Sequence, residues 1–168
     1  VPEHKDGFLT KSREVNILFA DNSNNKKMDE NKKSFEVKLS VPFFDLDPMQ
    51  IVWHGNYLNY FEVARAALFD HYGVDLYSYY EKHKLIFPII RTSTKHIYPL
   101  RHRDEILVRA TLVDARVKLV VDFEVIMATD GKICARGRTE QVTVKIPEME
   151  TIFRIPEDIR RALGFLNG

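Results

Sequence analysis

The chain has a single cysteine, Cys134, in 168 residues. No internal disulfide can form, and a reducing compartment such as the cytoplasm fits. Neither sign of charge dominates. Twenty-five basic residues stand against 24 acidic ones, which gives no basis for bulk binding of nucleic acid. No apolar run approaches the roughly 20 residues that a membrane span needs. The opening residues carry no apolar signal core behind a basic start. Several chemical motifs are missing as well. There is no Gly-rich phosphate loop, no H-E-x-x-H, no C-x-x-C and no G-x-S-x-G. P-loop nucleotide hydrolysis, common zinc chemistry and the serine-hydrolase elbow are therefore unsupported. No metal and no cofactor is expected.

What is present suits one domain with a real core, since 45% of the residues are hydrophobic. Val1–Lys33 reads as a polar N-terminal extension, and 34–168 as the folded domain. Within the extension, Val15–Ala20 is a short apolar run that could add a strand. Asp21–Lys33 is too polar to bury much.

The alternation of Phe35, Val37, Leu39 and Val41 predicts a first strand, with Pro42 suggesting an edge or a bulge. Leu85–Tyr98 is a long β-rich run, interrupted afterwards by Pro99–Asp104. Ile106–Leu112 and Leu119–Met127 alternate as two further strands. Asp130-Gly131 signals a two-residue hairpin, and Lys132–Ile146 returns antiparallel with a possible bulge at Arg136-Gly137. Leu76–Lys84 and Pro156–Leu163 suit short helices. The apolar stretch Lys118–Ala128 suggests an exposed edge that invites pairing between chains.

The chain is organised around Pro42–Gly73. A helix is expected from about Asn56 to Tyr72, with Asn56 as N-cap and Gly73 just past its end. Leu58, Phe61, Arg65, Leu68, Phe69 and Tyr72 follow spacings of three and four, so the helix should be largely buried. Antiparallel strands with one long helix read as α+β, one sheet wrapped around that helix. The loop before the helix carries Asp45 and Asp47. His54 follows seven residues after Asp47, and Tyr57 three residues later. Asp47 suits a general base or nucleophile, or else a loop carboxylate capping a turn ahead of Pro48. Asp45 suits loop structure, or else a paired-carboxylate mechanism with Asp47, with which it shares a face if the loop is extended. Trp53 suits packing, and Glu62 and Arg65 suit mutual pairing on the helix. His83 and His96 read as structural.

The stretch D-x-D-x-x-x-I-V-W-H-G-N-Y-L-x-Y-F-E-x-A-R resembles the signature of hotdog-fold acyl-CoA thioesterases of the 4-hydroxybenzoyl-CoA thioesterase type. The matching residues are Asp47, Val52, Trp53, His54, Asn56, Tyr57, Phe61, Glu62 and Arg65. The likeness spans roughly 35–155. At one position the chain departs, with Gln50 where members commonly place Gly. The resemblance implies hydrolysis of an acyl-CoA, with Asp47 and His54 catalytic and an N–H near His54 polarising the thioester carbonyl. Tyr57, Arg101 and Arg103 would bind substrate. The basic cluster could grip the phosphates of CoA, as could Arg91, Lys95, Arg116, Lys118, Arg136 and Arg138. The resemblance also implies a dimer whose sheets join edge to edge, with active sites at the subunit interface. A homodimer or homotetramer is expected, with Arg101 and Arg103 acting across the interface. Two other readings share these features: action on chains tethered to an acyl carrier protein, or a non-catalytic acyl-CoA binding module.

Overall fold

The computed structural model describes residues 33–166. The polar extension up to residue 32, with the Val15–Ala20 run, lies outside the described residues. Five antiparallel strands form the main sheet. They are β1 (Ser34–Ser40), β3 (Ile89–His96), β4 (Glu105–Asp114), β5 (Leu119–Met127) and β6 (Ile133–Gln141), in the order β1-β4-β5-β6-β3. A smaller sheet joins β2 (Leu85–Ile86), β7 (Thr143–Lys145) and β8 (Glu150–Ile152). The long helix α1 (Tyr57–His71) packs against β1 and β4. Two short helices, α2 (Leu76–His83) and α3 (Glu157–Ala162), complete the set among the described residues.

The alternation read from the sequence is the alternation of burial. Ile106, Val108, Ala110 and Leu112 of β4 turn inward, as do Leu119, Val121, Phe123 and Val125 of β5. They meet Tyr57, Tyr60, Phe61, Ala64, Leu68 and Phe69 of α1. Each large apolar side chain removed from water here is worth about 1.5–3 kcal/mol. Phe61 stacks on Phe123 with ring centroids 4.7 Å apart. The helix is not buried all round, however. Leu58, Glu62 and Ala66 leave one face of α1 open.

Several local expectations needed correction. The Leu85–Tyr98 run is divided at Phe87-Pro88, where Pro88 supplies no N–H to continue the pairing. The hairpin loop holds four residues, 128–131, rather than two. Met127 N–H meets the Lys132 carbonyl at 2.8 Å, and Gly131 closes the loop at φ 73°. Gly137 pairs in regular register with Phe123 and Thr94. The irregularity falls instead around Cys134, where Val125 pairs with Ala135 and Ile126 with Ile133. Gly137 is glycine because Phe61 lies on it: a Cβ there would come within 2.3 Å of the ring. β5 is interior, between β4 and β6, so Lys118–Ala128 presents no edge. The edges are β1 and β3. The end of α1 follows expectation, with Gly73 at φ 69° and its N–H on the Asp70 carbonyl at 3.0 Å.

Candidate active site at the start of the central helix

A folded-back loop holds Asp47. Leu46 and Val52 bridge antiparallel, Asp47 N–H meets the Ile51 carbonyl at 2.8 Å, and Gln50 N–H meets the Asp47 carbonyl at 2.9 Å. Gln50 sits at φ 61°, the left-handed region that glycine favours. The loop therefore takes the glycine-type path even though Gln stands at that position. Asp47 is half-buried, and its Oδ1 accepts from Met49 N–H at 2.8 Å. This turn-capping bond occupies one carboxylate oxygen. Oδ2 has no hydrogen-bond partner among the described residues.

Asp45 has structural work. It is 6% exposed, and its carboxylate accepts from the Tyr60 hydroxyl at 2.7 Å. Burial first, and then this carboxylate, push the Tyr60 phenol far above its ordinary value of 10.0. The Asp45 carbonyl takes the Trp53 N–H at 2.9 Å and the Asn56 amide at 3.0 Å. Asp45 thus ties the loop to the helix. The arrangement also explains why Asn56 does not cap α1 with its side chain. A 3-10 turn, His54–Asn56, runs straight into the helix, so Asn56 is already helical at φ −71° and ψ −18°.

The N–H groups of His54 and Gly55 open this composite helix. Neither has a backbone acceptor among the described residues. The Trp53 indole lies over Gly55, where a Cβ would fall 2.2 Å from a ring carbon. Trp53 packs as expected against Gly55 and His54, yet it remains 50% exposed.

Three rings gather beside His54. Its imidazole lies 5.0 Å from Trp53 and 6.5 Å from His96, and His96 lies 4.6 Å from Tyr57. Tyr57 is only 3% exposed, so within one chain its ring belongs to the wall behind His54. Burial raises the Tyr57 phenol, and the Leu100 backbone partly offsets that. His96 was not read as part of this site. It sits at the end of β3, far along the chain from His54, and only sheet pairing brings it here. Burial lowers the His96 pKa below 6.5, with the nearby His54 as the second cause. Folding therefore favours the neutral ring. As pH falls through about 6.5 the unfolded chain gains a proton first, so the folded state loses stability until His96 itself protonates. Thermal melts between about pH 7.5 and 5.5 should show a smaller acid loss in His96→Asn than in the parent. Equal losses in both proteins would show that His96 does not carry the effect.

Arg101 and Arg103 lie exposed in the turn between β3 and β4. Arg103 N–H meets the Val41 carbonyl, Val52 N–H meets the Leu100 carbonyl, and Val41 N–H meets the Asp104 carbonyl, each at 2.9 Å. The turn therefore rests on the Asp47 loop of the same chain. Neither arginine has an ion-pair partner among the described residues. The other basic candidates are mostly engaged across strands. Arg138 holds Asp122, Arg136 holds Glu124, and Lys118 and Arg91 hold Glu140. Arg116 holds Asp114. Glu62 and Arg65 pair with each other, as their spacing predicted. Among the described residues no cluster of three metal-ligating side chains occurs, and no helix is long and apolar enough to cross a membrane.

Comparison with known proteins follows the same lines. Residues 41–163 match the family model of the thioesterase-like superfamily. YneP of Bacillus subtilis, a candidate acyl-CoA thioesterase, is 31% identical over 112 residues, covering 61% of this chain and 78% of its own. A 1,4-dihydroxy-2-naphthoyl-CoA thioesterase from Synechocystis superposes with a TM-score of 0.71 at 21% identity, over 79% of this chain and 97% of that one. The 4-hydroxybenzoyl-CoA thioesterase of a Pseudomonas strain gives 0.69 at 20% identity, over 77% and 99%. With one antiparallel sheet curved around α1 and a match across most of its length, the chain has the hotdog fold and belongs to the thioesterase-like superfamily.

Proposed function

We propose that this protein hydrolyses acyl-CoA thioesters to the free acid and CoA, with Asp47 as the base or nucleophile. The observation that carries the reading is the pair of open N–H groups at His54 and Gly55, directly after a loop that presents a half-buried carboxylate. A carbonyl oxygen set against those N–H groups would be polarised by them and by the positive end of α1. Asp47, acting as base, takes a proton from water while the water oxygen bonds to the carbonyl carbon. The oxyanion is held at the helix start. Its collapse breaks the C–S bond, and the sulfur leaves as the CoA thiol with the proton from Asp47. If Asp47 attacks directly, the C–S bond breaks, CoA leaves as thiolate and takes a proton from solvent, and water opens the mixed anhydride to the acid and Asp47. Single turnover in oxygen-18 water labels Asp47 only by that second route. His54 stands where it can orient the thioester.

Arg101 and Arg103, unpaired on an exposed turn, suit the phosphates of CoA. A panel of acyl-CoAs assayed by thiol release tests the activity. Tight CoA binding without thiol release would favour a binding module. Turnover only of carrier-tethered chains would favour an acyl-carrier-protein substrate.

The protein acts as a homodimer or a dimer of dimers in this reading. The edge strand β3 exposes Ile89 and Ile90, and the open face of α1 exposes Leu58. Subunit mixing tests where the grip acts. Inactive Asp47→Asn subunits mixed with inactive Arg101→Ala/Arg103→Ala subunits should stay inactive, because the turn belongs to the Asp47 loop of its own chain. Recovery of about one working site per mixed dimer would place the grip across the interface.

A further inference from the structure

Two cavities run along α1 away from the candidate catalytic loop, and both are bounded by Glu62 and Arg65. The smaller, of about 90 Å³, begins at Leu58, one residue past Tyr57, and reaches Thr139. The larger, of about 580 Å³, lies between α1, α2 and β2 and ends at Gln141. Its apolar wall includes Phe69, Val74 and Phe87. Three buried polar atoms on these walls have no hydrogen-bond partner among the described residues: Arg65 Nη1, Thr139 Oγ1 and Gln141 Oε1. Arg65 is 9% exposed, and Thr139 and Gln141 less than that. The rest of each group is fixed. Glu62 holds Arg65 by Nη2, and Gln141 Nε2 donates to the Phe87 carbonyl at 2.7 Å. Arg65 and Gln141 line the larger cavity, Arg65 and Thr139 the smaller. A buried polar atom left unpaired is costly, so the pair in the larger cavity points to something that fills it.

We infer that the larger cavity receives the far end of the substrate's acyl group and reads a hydroxyl there, with Arg65 and Gln141 as the specificity-determining residues. This rests on the thioesterase reading above. A hydroxyl oxygen accepts from Arg65 Nη1, and its O–H donates a hydrogen bond to Gln141 Oε1. A methyl end satisfies neither group. A carboxylate end is disfavoured by charge, because Glu62, Asp70 and Asp75 line the same cavity against the single guanidinium of Arg65. Length follows from the helix. Glu62, which holds the guanidinium, stands seven residues past Gly55, about 10 Å along the axis. The acyl group must extend roughly eight single bonds beyond its thioester to reach it. One benzoyl ring stops about halfway.

The test compares octanoyl-CoA, ω-hydroxyoctanoyl-CoA and the ω-carboxylate analogue suberyl-CoA. Turnover is followed by thiol release, and binding of the matching non-hydrolysable thioethers by calorimetry. The hydroxyl compound should lead both others by at least about tenfold in kcat/KM and in affinity. In Arg65→Met and in Gln141→Leu that ratio should fall to about one. Equal handling of the three compounds by an active parent protein would overturn this inference and leave the thioesterase reading standing. If no thioester is cleaved, the thioesterase reading fails, and the binding ratio still decides the pocket. The parent ratio requires no variant to fold. A ratio that survives both substitutions would also overturn the assignment.

Discussion

Replacing Asp47 with asparagine should cut thioester hydrolysis by about a hundredfold or more, with the melting temperature unchanged. The two roles of this residue separate cleanly in that substitution. Oδ1 of Asp47 caps the turn by accepting from Met49 N–H, and an asparagine carbonyl oxygen accepts the same bond. The loop should therefore keep its bridge between Leu46 and Val52, and Gln50 its left-handed backbone. What is lost is the charge and the ability to take a proton or to attack a carbonyl. Asp47→Ala loses the cap as well, and should lower both turnover and stability, the latter by about 1 kcal/mol. Steady-state thiol release and thermal melts on the two variants make the comparison. Full turnover in Asp47→Asn would reduce Asp47 to a turn-capping residue and remove it from the chemistry.

The elements that carry this loop were legible from sequence because their signals are local. Spacings of three and four marked α1 to within one residue at each end, with Asn56 before it and Gly73 after it. Alternation marked β4 and β5. Asp47 and His54 stood out only through the resemblance of their motif to thioesterase signatures, and their roles belong to the proposal. The errors came where a residue's role depends on a distant neighbour. Asn56 looks like a cap in isolation, but the Asp45 carbonyl takes its amide. Lys118–Ala128 looks like an exposed edge until β4 and β6 are placed on either side of it. The basic strand residues suit either an anion grip or solvated faces until the register sets Arg138 opposite Asp122 and Arg136 opposite Glu124. His96 joins His54 and Tyr57 only because β3 pairs with β6 at the sheet edge. Asp-Gly announces a hairpin, yet a glycine at positive φ closes a four-residue loop as readily as a two-residue one.

Gly137 belongs with those errors, and one added methyl group there carries a large expected effect on stability. A glycine in a strand marks either a bulge or a close approach, and sequence alone does not choose between them. Here the approach is to Phe61. An added Cβ would lie 2.3, 2.6 and 3.1 Å from three ring atoms. The ring has nowhere to go: it is 1% exposed and stacked on Phe123. Gly137→Ala should therefore cost at least the 1–3 kcal/mol typical of overpacking, about 3–10 °C in melting temperature for a domain of this size. Phe61→Ala should cost about 3–5 kcal/mol through the cavity it leaves. Phe61→Leu removes the ring atoms that clash while keeping an apolar side chain. Combined with Gly137→Ala, it should cost less than the two single changes added together. Denaturant melts of the four proteins give that coupling. Additivity to within about 0.5 kcal/mol would mean that the sheet shifts to admit the methyl group, and that Phe61 does not dictate glycine at this position. The same clash lifts α1 from the sheet, so Gly137→Ala should also weaken turnover by displacing the N–H groups at the helix start.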